Sequence, residues 1–296
     1  MIDIHFIVNP IAGSGDHSFS ETFLQDYFEE DKYSITIKSS GHKGHAIDLT
    51  KESINQKADI IVACGGDGTI NEVASTLVGT AIPLGIVPIG SGNGLASNLS
   101  IPKNVKKALY IIKNNQSMSI DVGCVNQRYF FSNTGFGFTA NVIENYEAFQ
   151  KRTLWCYLKA SVKSFQQFYK KEKTVISIDN VTDFVDPFLI FISNSNEMGY
   201  KVTLTPKASL QDGLLDVVIV PKIGKFKILF FGFCMLIKKP DLLKNAKCFQ
   251  TKEILLTRKQ GVFFESQIDG ELAKIKEQSL SVFLKEKSLN VIIAME

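Results

Sequence analysis

Cys64-Gly65-Gly66-Asp67-Gly68-Thr69-Ile70-Asn71-Glu72-Val73 is the stretch from which the fold can be read. An apolar run from Asp59 to Ala63 enters it with the composition of a buried strand, and Thr69 to Leu77 leaves it with helical spacing. Glycines without Cβ let a backbone come close to a phosphate, and the amides of a helix N-terminus offer that phosphate partial positive charge. Asp67 would repel phosphate directly, so the pattern gives it a Mg²⁺, a water or a lysine to hold. Thr69 with Glu72 three residues later has the form of a capping box, which puts the N-cap at Thr69. Taken alone, the stretch is equally well explained as a tight strand-to-helix turn.

Outward from this turn the same grammar repeats. Ile4 to Val8 reads as a strand ending in Asn9-Pro10-Ile11-Ala12-Gly13-Ser14-Gly15, and Leu84 to Val87 as a strand ending in Pro88-Ile89-Gly90-Ser91-Gly92-Asn93-Gly94. Between them lie a helix over Phe19 to Phe28, a strand over Tyr33 to Lys38 and a helix over Gly44 to Asn55. Apolar strands separated by helices predict a parallel sheet covered on both faces. Ligands of such sheets bind outside the carboxyl ends of the strands, where three glycine loops would converge on one crevice. The chain has no G-x-x-x-x-G-K-[ST] and no G-x-G-x-x-G opening its first helix, so neither a P-loop nor hydride chemistry is expected.

After Ser119 the texture changes. Ile120–Val125, Tyr129–Ser132, Val175–Ile178, Phe188–Ser193, Leu214–Val220, Glu253–Thr257, Val262–Glu265 and Val291–Ala294 read as strands, many joined by short turns such as Asp212-Gly213 and Asp269-Gly270. Two helices interrupt them. One carries Leu154, Leu158, Val162, Phe165 and Tyr169 at helical spacing, and the other covers about Phe226 to Ile237. The expected organisation is an α/β domain over residues 1–120 and an antiparallel β domain with inserted helices over 121–296. The C-terminal segment is free to pack back on the first domain.

The bulk properties exclude several classes. With 33 Lys+Arg against 30 Asp+Glu, the net charge of +3 is far from a nucleic-acid binder's footprint. A hydrophobic fraction of 45% is enough for a sizeable core. Five scattered cysteines without metal-ligand spacing suit reduced thiols in a cytosolic protein. The N-terminus has no signal-peptide pattern, and the longest apolar run, Ile228 to Ile237, is well short of the about 20 residues that span a bilayer. His5, His17, His42 and His45 show no ligand spacing.

Three loops and two later motifs together resemble one family. Asn9-Pro10 with Gly13, Gly65-Gly66-Asp67-Gly68-Thr69 with Asn71-Glu72-Val73, and Pro88 with Gly90-Ser91-Gly92-Asn93 look like the diacylglycerol kinase catalytic domain. Asp212-Gly213-Leu214-Leu215-Asp216 and Ile268-Asp269-Gly270-Glu271 resemble two signatures of that family's β-rich second domain, so the resemblance covers essentially the whole chain. It implies a three-layer α/β nucleotide-binding domain plus a β-sandwich domain, and transfer of the γ-phosphate of ATP to a lipid hydroxyl. ATP would be held at Asn9, Pro10, Ser40 (ahead of Gly44-His45-Ala46), Gly65, Gly66, Asp67, Gly68, Thr69, Asn71, Glu72 and Ser91. The general base would be Asp269, with Glu271 as the close competitor. A structural Mg²⁺ would sit on the Asp212 carboxylate and the carbonyls of Ser209 and Leu214.

Many bacterial members of the family carry Asn-Asp-Phe-Ala-Arg in the third loop, where this chain has Asn93-Gly94-Leu95-Ala96-Ser97, closer to the sphingosine and ceramide kinase relatives. The acceptor is left open among diacylglycerol, a sphingoid base or ceramide, and another long-chain alcohol. The implied partners are ATP, a membrane lipid and a peripheral contact at the inner face of the membrane, with a homodimer left open and no nucleic acid. Lys222, Lys225, Lys227, Lys238 and Lys239 flank the apolar run at 228–237, which suits either an interfacial helix or a buried one. The helix around Lys151–Lys173, with Trp155, Tyr157, Phe168 and Tyr169, offers the same two readings. A soluble kinase of the NAD kinase type and a non-catalytic nucleotide-binding regulator are the alternatives. The Asp-Gly-Leu-Leu-Asp and Asp-Gly-Glu motifs favour lipid.

Overall fold

The computed structural model describes residues 1–13, 19–90, 92–149, 154–168, 175–179, 181–196, 203–261, 266–273 and 275–294. Ser14, Gly15, Ser91 and the strand expected over Val262–Glu265 lie outside them. The chain divides into two compact units, Met1–Val122 with Glu286–Glu296, and Gly123–Lys285. The fold is a mixed α/β domain followed by an all-antiparallel β domain.

The first unit is built from β1 (Ile2–Val8), α1 (Glu21–Gln25), β2 (Tyr33–Ser39), α2 (His45–Asn55), β3 (Ile60–Gly65), α3 (Asp67–Leu77), β4 (Leu84–Pro88), α4 (Gly94–Asn98) and α5 (Val105–Asn114). Its strands pair in parallel in the order β2-β1-β3-β4. Every residue of β3 and β4 is buried, which is why these strands read as continuous apolar runs rather than alternating ones. The chain leaves β1 towards β2 on one side and returns to β3 on the other, so the switch point of this sheet falls between β1 and β3.

The second unit opens on β5 (Ser117–Val125), shared with the first, and continues with β6 (Arg128–Phe130), β7 (Asn133–Gly137), α6 (Phe138–Glu147), α7 (Leu154–Phe168), β8 (Val175–Ile178), β9 (Thr182–Val185) and β10 (Leu189–Ser193). Then follow β11 (Leu215–Val220), α8 (Lys225–Leu236), β12 (Lys247–Thr251), β13 (Glu253–Arg258), β14 (Ser266–Ile268), β15 (Glu271–Ala273) and β16 (Ser279–Ile292). One antiparallel sheet runs β12-β11-β10-β7-β14-β15, and the second face is built on β13 with β8, β9 and the early part of β16. Alternation along the strands makes the layers. Ile190 and Ile192 of β10 and Leu215, Val217 and Ile219 of β11 pack with Ile254, Leu256, Leu280 and Val282 of the facing strands. Leu189 and Phe191 of β10 and Val218 and Val220 of β11 point the other way, onto Ile228 and Phe231 of α8 and Phe165 of α7.

The last part of β16 belongs to the first unit. Val291 pairs in parallel with Leu84 of β4, the Ile293 amide donates to Gln116 O (2.9 Å), and the Gly79 amide donates to Ser288 O (2.7 Å). Ser119 Oγ donates to Asn290 Oδ1 at 2.6 Å, and the Lys287 amide to buried Asp121 Oδ1 at 2.7 Å.

Two sequence expectations change. The capping box does not form, because α3 starts two residues earlier, at Asp67 with Gly66 as its N-cap, and Thr69 is buried within the first turn. In α7, Leu158 and Val162 face outward. The inward face carries the small pair Ala160 and Ser164 beside Tyr157 and Phe165, and the small pair lets α7 lie close to α6: Asn145 Nδ2 of α6 donates to Ser164 Oγ at 2.8 Å.

His5 on β1 is buried, with Nε2 3.2 Å from Asp3 Oδ2. Burial outweighs the pull of Asp3 and holds the imidazole pKa below its ordinary 6.5. A depressed folded-state pKa makes this contribution to stability complete above the unfolded value of about 6.5 and lost as pH falls through the folded one. Urea-unfolding midpoints measured between pH 7 and pH 5 should therefore decline in the wild type and decline less in His5→Gln.

Candidate active site

The ends of β1, β2, β3 and β4 bring the predicted phosphate residues to one edge of the parallel sheet. The Asn9 amide donates to Cys64 O (2.9 Å), Ser40 N to Val8 O (2.8 Å) and Ile89 N to Gly65 O (3.0 Å), so each loop is tied to its neighbour as it leaves the sheet. Asn9 Nδ2 donates to Thr69 Oγ1 at 3.1 Å, and Asn9 Oδ1 accepts the Ile11 amide at 3.2 Å, which turns the exposed Pro10 across the strand end. Glu72, freed from capping its own helix, accepts the Gly44 amide at 2.8 Å and anchors the loop that carries Ser40 at the start of α2. His42 and His45 stack in that loop with ring centroids 4.8 Å apart. Asn71 Oδ1 accepts from Ser75 Oγ at 3.2 Å along α3.

Glycine is required here by contact. A Cβ on Gly90 would lie 2.5 Å from Gly66 Cα, one on Gly65 would lie 2.5 Å from the Thr69 Cβ, and one on Gly92 would meet Asp67 Oδ2 at 2.5 Å. The loops after β3 and β4 therefore touch backbone to backbone. Asp67 joins them: Oδ2 accepts the Asn93 amide at 2.8 Å and Oδ1 the Gly94 amide at 2.6 Å. These are the leading amides of α4, whose N-cap Asn93 is left-handed at φ 61° and gives α4 no side-chain cap. Asn93 turns its amide group back on its own loop instead, accepting from Gly90 N at 3.1 Å and donating to Gly90 O at 2.7 Å. The Asp67 carboxylate is thus partnered by the third loop. The first-turn amides of α3 have no acceptor inside the helix, as at any helix N-terminus. Cys64, fully buried at the head of the turn, has its thiol pushed far up by that burial and supplies no thiolate.

In the second unit the Asp269-Gly270 turn joins β14 to β15. Asp269 sits at φ +49°, and its carboxylate accepts three amides: Phe131 (2.9 Å), Ser132 (2.8 Å) and Asn133 (3.1 Å). Buried Gln267 fastens the same turn, with Oε1 accepting from Gly270 N at 2.9 Å and Nε2 donating to Asn133 Oδ1 at 2.7 Å. Glu271 follows, half-buried, opposite Ile268. Gln267 and Asn133 carried no sequence signal, since neither belongs to a motif. Their role exists only through the β7–β14 pairing.

At the start of β11, Asp212 Oδ1 accepts the Leu214 amide at 3.1 Å, and Ser209 Oγ accepts the Gln211 amide at 3.2 Å. Gln250 Nε2 lies 3.4 Å from Asp212 Oδ2 and 3.2 Å from Asp216 Oδ2. Burial, with the Asp212 charge adding to it, raises the Asp216 pKa against the opposing Gln250 hydrogen bond. Two carboxylates leaning on one neutral amide make a donor set that fits a hard cation with oxygen ligands. Among the described residues no three His, Cys, Asp or Glu side chains form a metal cluster, so carbonyls or water would complete the shell.

Comparisons with known proteins place both units. Residues 3–125 match the diacylglycerol kinase catalytic domain, and residues 132–282 match the YegS C-terminal NAD kinase beta sandwich-like domain. The chain is 30% identical over 222 residues to a diacylglycerol kinase of Bacillus subtilis, covering 73% of either chain. Over 198 residues it is 30% identical to a probable lipid kinase YegS-like protein of Pectobacterium atrosepticum, covering 64% of this chain and 66% of that one. A crystal structure of a diacylglycerol kinase from Bacillus anthracis str. Sterne shares the fold, with a TM-score of 0.73 at 20% identity over 99% of this chain and 97% of that one.

Asp67→Ala removes the acceptor of two loop amides. Hydrogen bonds to a charged group contribute about 1.5–3 kcal/mol each, so the variant should lose about that much or more in denaturant unfolding. Faster hydrogen exchange at the Asn93 and Gly94 amides would locate the loss.

Proposed function

The chain belongs to the bacterial diacylglycerol and lipid kinase family, and from that premise we propose that it transfers the γ-phosphate of ATP to a hydroxyl of a membrane lipid. The observation that carries this reading is the glycine-loop junction at the carboxyl ends of β3 and β4, beside the β1/β3 switch point, where Asp67 holds the loop after β4 against the N-terminus of α3. Asn9, Pro10, Ser40, Gly65, Gly66, Gly68 and Thr69 would line the nucleotide site, with Asn71 and Glu72 bracing it from α3. Ser91 would complete it. Phosphoryl transfer asks a protein chiefly for positioning and for charge stabilisation, and tied loop backbones supply both. Membership in the family favours diacylglycerol as acceptor. The Gly94-Leu95-Ala96-Ser97 variant of the third loop keeps sphingoid and ceramide-like alcohols in the set to be assayed.

In the transfer, the lipid oxygen attacks the γ-phosphorus, the bond to the β,γ-bridging oxygen breaks, ADP leaves, and the hydroxyl proton passes to a carboxylate of the enzyme. The backbone amides around Asp269 bear on the choice between the two candidates for that carboxylate. Asp269 already accepts three backbone amides, an environment that favours its ionised form and opposes proton uptake. We assign Asp269 to positioning and Glu271, its neighbour on the same turn, to the base. Asp212, Asp216 and the carbonyls of Ser209 and Leu214 would hold a Mg²⁺, which when bound would neutralise the paired carboxylates and stiffen the turn into β11.

Incubating the protein with γ-labelled Mg-ATP and vesicles carrying diacylglycerol, sphingosine and ceramide tests the reaction. A labelled lipid supports it and names the acceptor, whereas vesicle-independent labelling of NAD, or no labelled product with any acceptor, would overturn it. Glu271→Gln should lower kcat by about 10²–10⁴-fold with ATP affinity kept. Asp269→Asn should lower stability and depress kcat less, and the reverse ranking would return the base to Asp269. Asp212→Ala should cost more thermal stability in Mg²⁺ than in chelator, and equal losses would remove the ion from that turn.

A further inference from the structure

Helix α8 has two unlike faces. Ile228, Phe231 and Cys234 are buried, the first two in the apolar cluster behind β10 and β11. Phe226, Phe230, Phe233 and Ile237 are exposed by 89%, 46%, 55% and 40%. At 100° per residue these four fall within roughly 60° of one another around the axis, and at 1.5 Å per residue they form a stripe about 16 Å long. Exposed Lys222, Lys225 and Lys227 stand at one end of it and exposed Lys238 and Lys239 at the other. No acidic residue occurs between Lys222 and Lys239.

Helix α7 repeats this composition. Trp155, Leu158 and Val162 are exposed by 65%, 48% and 60% beside exposed Lys159 and Lys163, and Lys159 Nζ lies 5.8 Å over the Trp155 ring. No acidic residue lies within Leu154–Phe168. Phe165 of α7 packs on the cluster that buries Ile228 and Phe231, so both helices cover the same face of the six-stranded sheet.

Aromatic side chains aligned outward on a helix are beyond the scattered exposure of an ordinary surface. Their surroundings identify what covers them. An aromatic stripe bracketed by lysines, one of which (Lys222) is paired with Asp186 at 2.7 Å, and with no acidic residue in its own segment, matches the boundary between acyl chains and anionic headgroups, where rings enter the apolar layer and lysines extend to phosphates. A second copy of this chain fits poorly, because a two-fold pairing of the stripe would set lysine against lysine. We propose that the outer face of α8, with that of α7 beside it, is the surface by which this protein docks on an anionic bilayer. This deepens the lipid-kinase reading, and its test needs no catalysis.

The full chain is sedimented with vesicles of phosphatidylglycerol and phosphatidylcholine, or of phosphatidylcholine alone, without diacylglycerol or ATP. The wild type should partition onto the anionic vesicles and be released by salt. Phe230→Ser with Phe233→Ser, and separately Lys238→Glu with Lys239→Glu, should each weaken partitioning by about tenfold or more. These positions are exposed, and unchanged thermal unfolding of each variant checks that the fold is kept. Wild-type partitioning in both variants, or a wild type that stays in the supernatant, would overturn the proposal. So would a wild-type dimer in sedimentation velocity that the phenylalanine variant dissociates while vesicle binding persists, since the stripe would then be a self-association face. Absent phosphotransfer alongside phenylalanine-dependent vesicle binding would remove the kinase reading and leave the docking surface standing.

Discussion

Asp67 places one carboxylate oxygen on each of two consecutive amides of a different loop, and the loop-bearing edge of the parallel sheet depends on that junction. A carboxylate in the middle of a glycine-rich turn is electrostatically awkward if the turn is to receive phosphate. Turning it onto the leading amides of α4 neutralises the conflict and gives that five-residue helix the cap its own N-cap residue does not provide. The Gly66–Gly90 approach follows from the same junction, because the two loops can be joined through Asp67 only when their backbones touch. Thr69 and Asn9 then extend the tie back to β1.

The second unit uses an aspartate in the same manner. Asp269 gathers three amides from the segment entering β7, and Gln267 adds a hydrogen bond across the turn and another to Asn133. Both Asp-Gly motifs look like reaction chemistry in the sequence, and in the structure both aspartates also accept backbone amides of other loops. The glycine after Asp269 has φ +79°, which an L side chain would resist, so the motif is conformational before it is chemical.

The parallel strands and their glycine loops were legible because a strand buried on both faces is a continuous apolar run with an abrupt end. The family and the two-domain α/β-plus-β class followed from motif order along the chain. Other elements carried no such signal. β7, Asn133-Thr134-Gly135-Phe136-Gly137, contains two glycines and one large apolar residue, yet all but its last residue are buried. Gly135 is there because a Cβ would meet Thr139 Oγ1 at 2.5 Å. β12 is almost wholly exposed at a sheet edge and shows no alternation to detect. Periodicity in α7 selected Phe165, which packs inward, but also Leu158 and Val162, which do not, and it missed Ala160 and Ser164, since close helix approach favours small side chains that hydrophobicity does not flag. The misplaced cap at Thr69 has a related cause: Glu72 found a better amide on a different loop.

The course of β16 also constrains how the protein is made. Its closing residues pair with β4 and are pinned through Gln116, Ser119 and Asp121, all of which the ribosome delivers more than 160 residues earlier. During synthesis the parallel sheet must wait with one edge unpaired while the entire β-rich unit is translated. An edge left open in a nascent chain is a site for wrong pairing. The α/β half, which precedes the β-rich unit in the chain, is therefore closed only once that unit has been made.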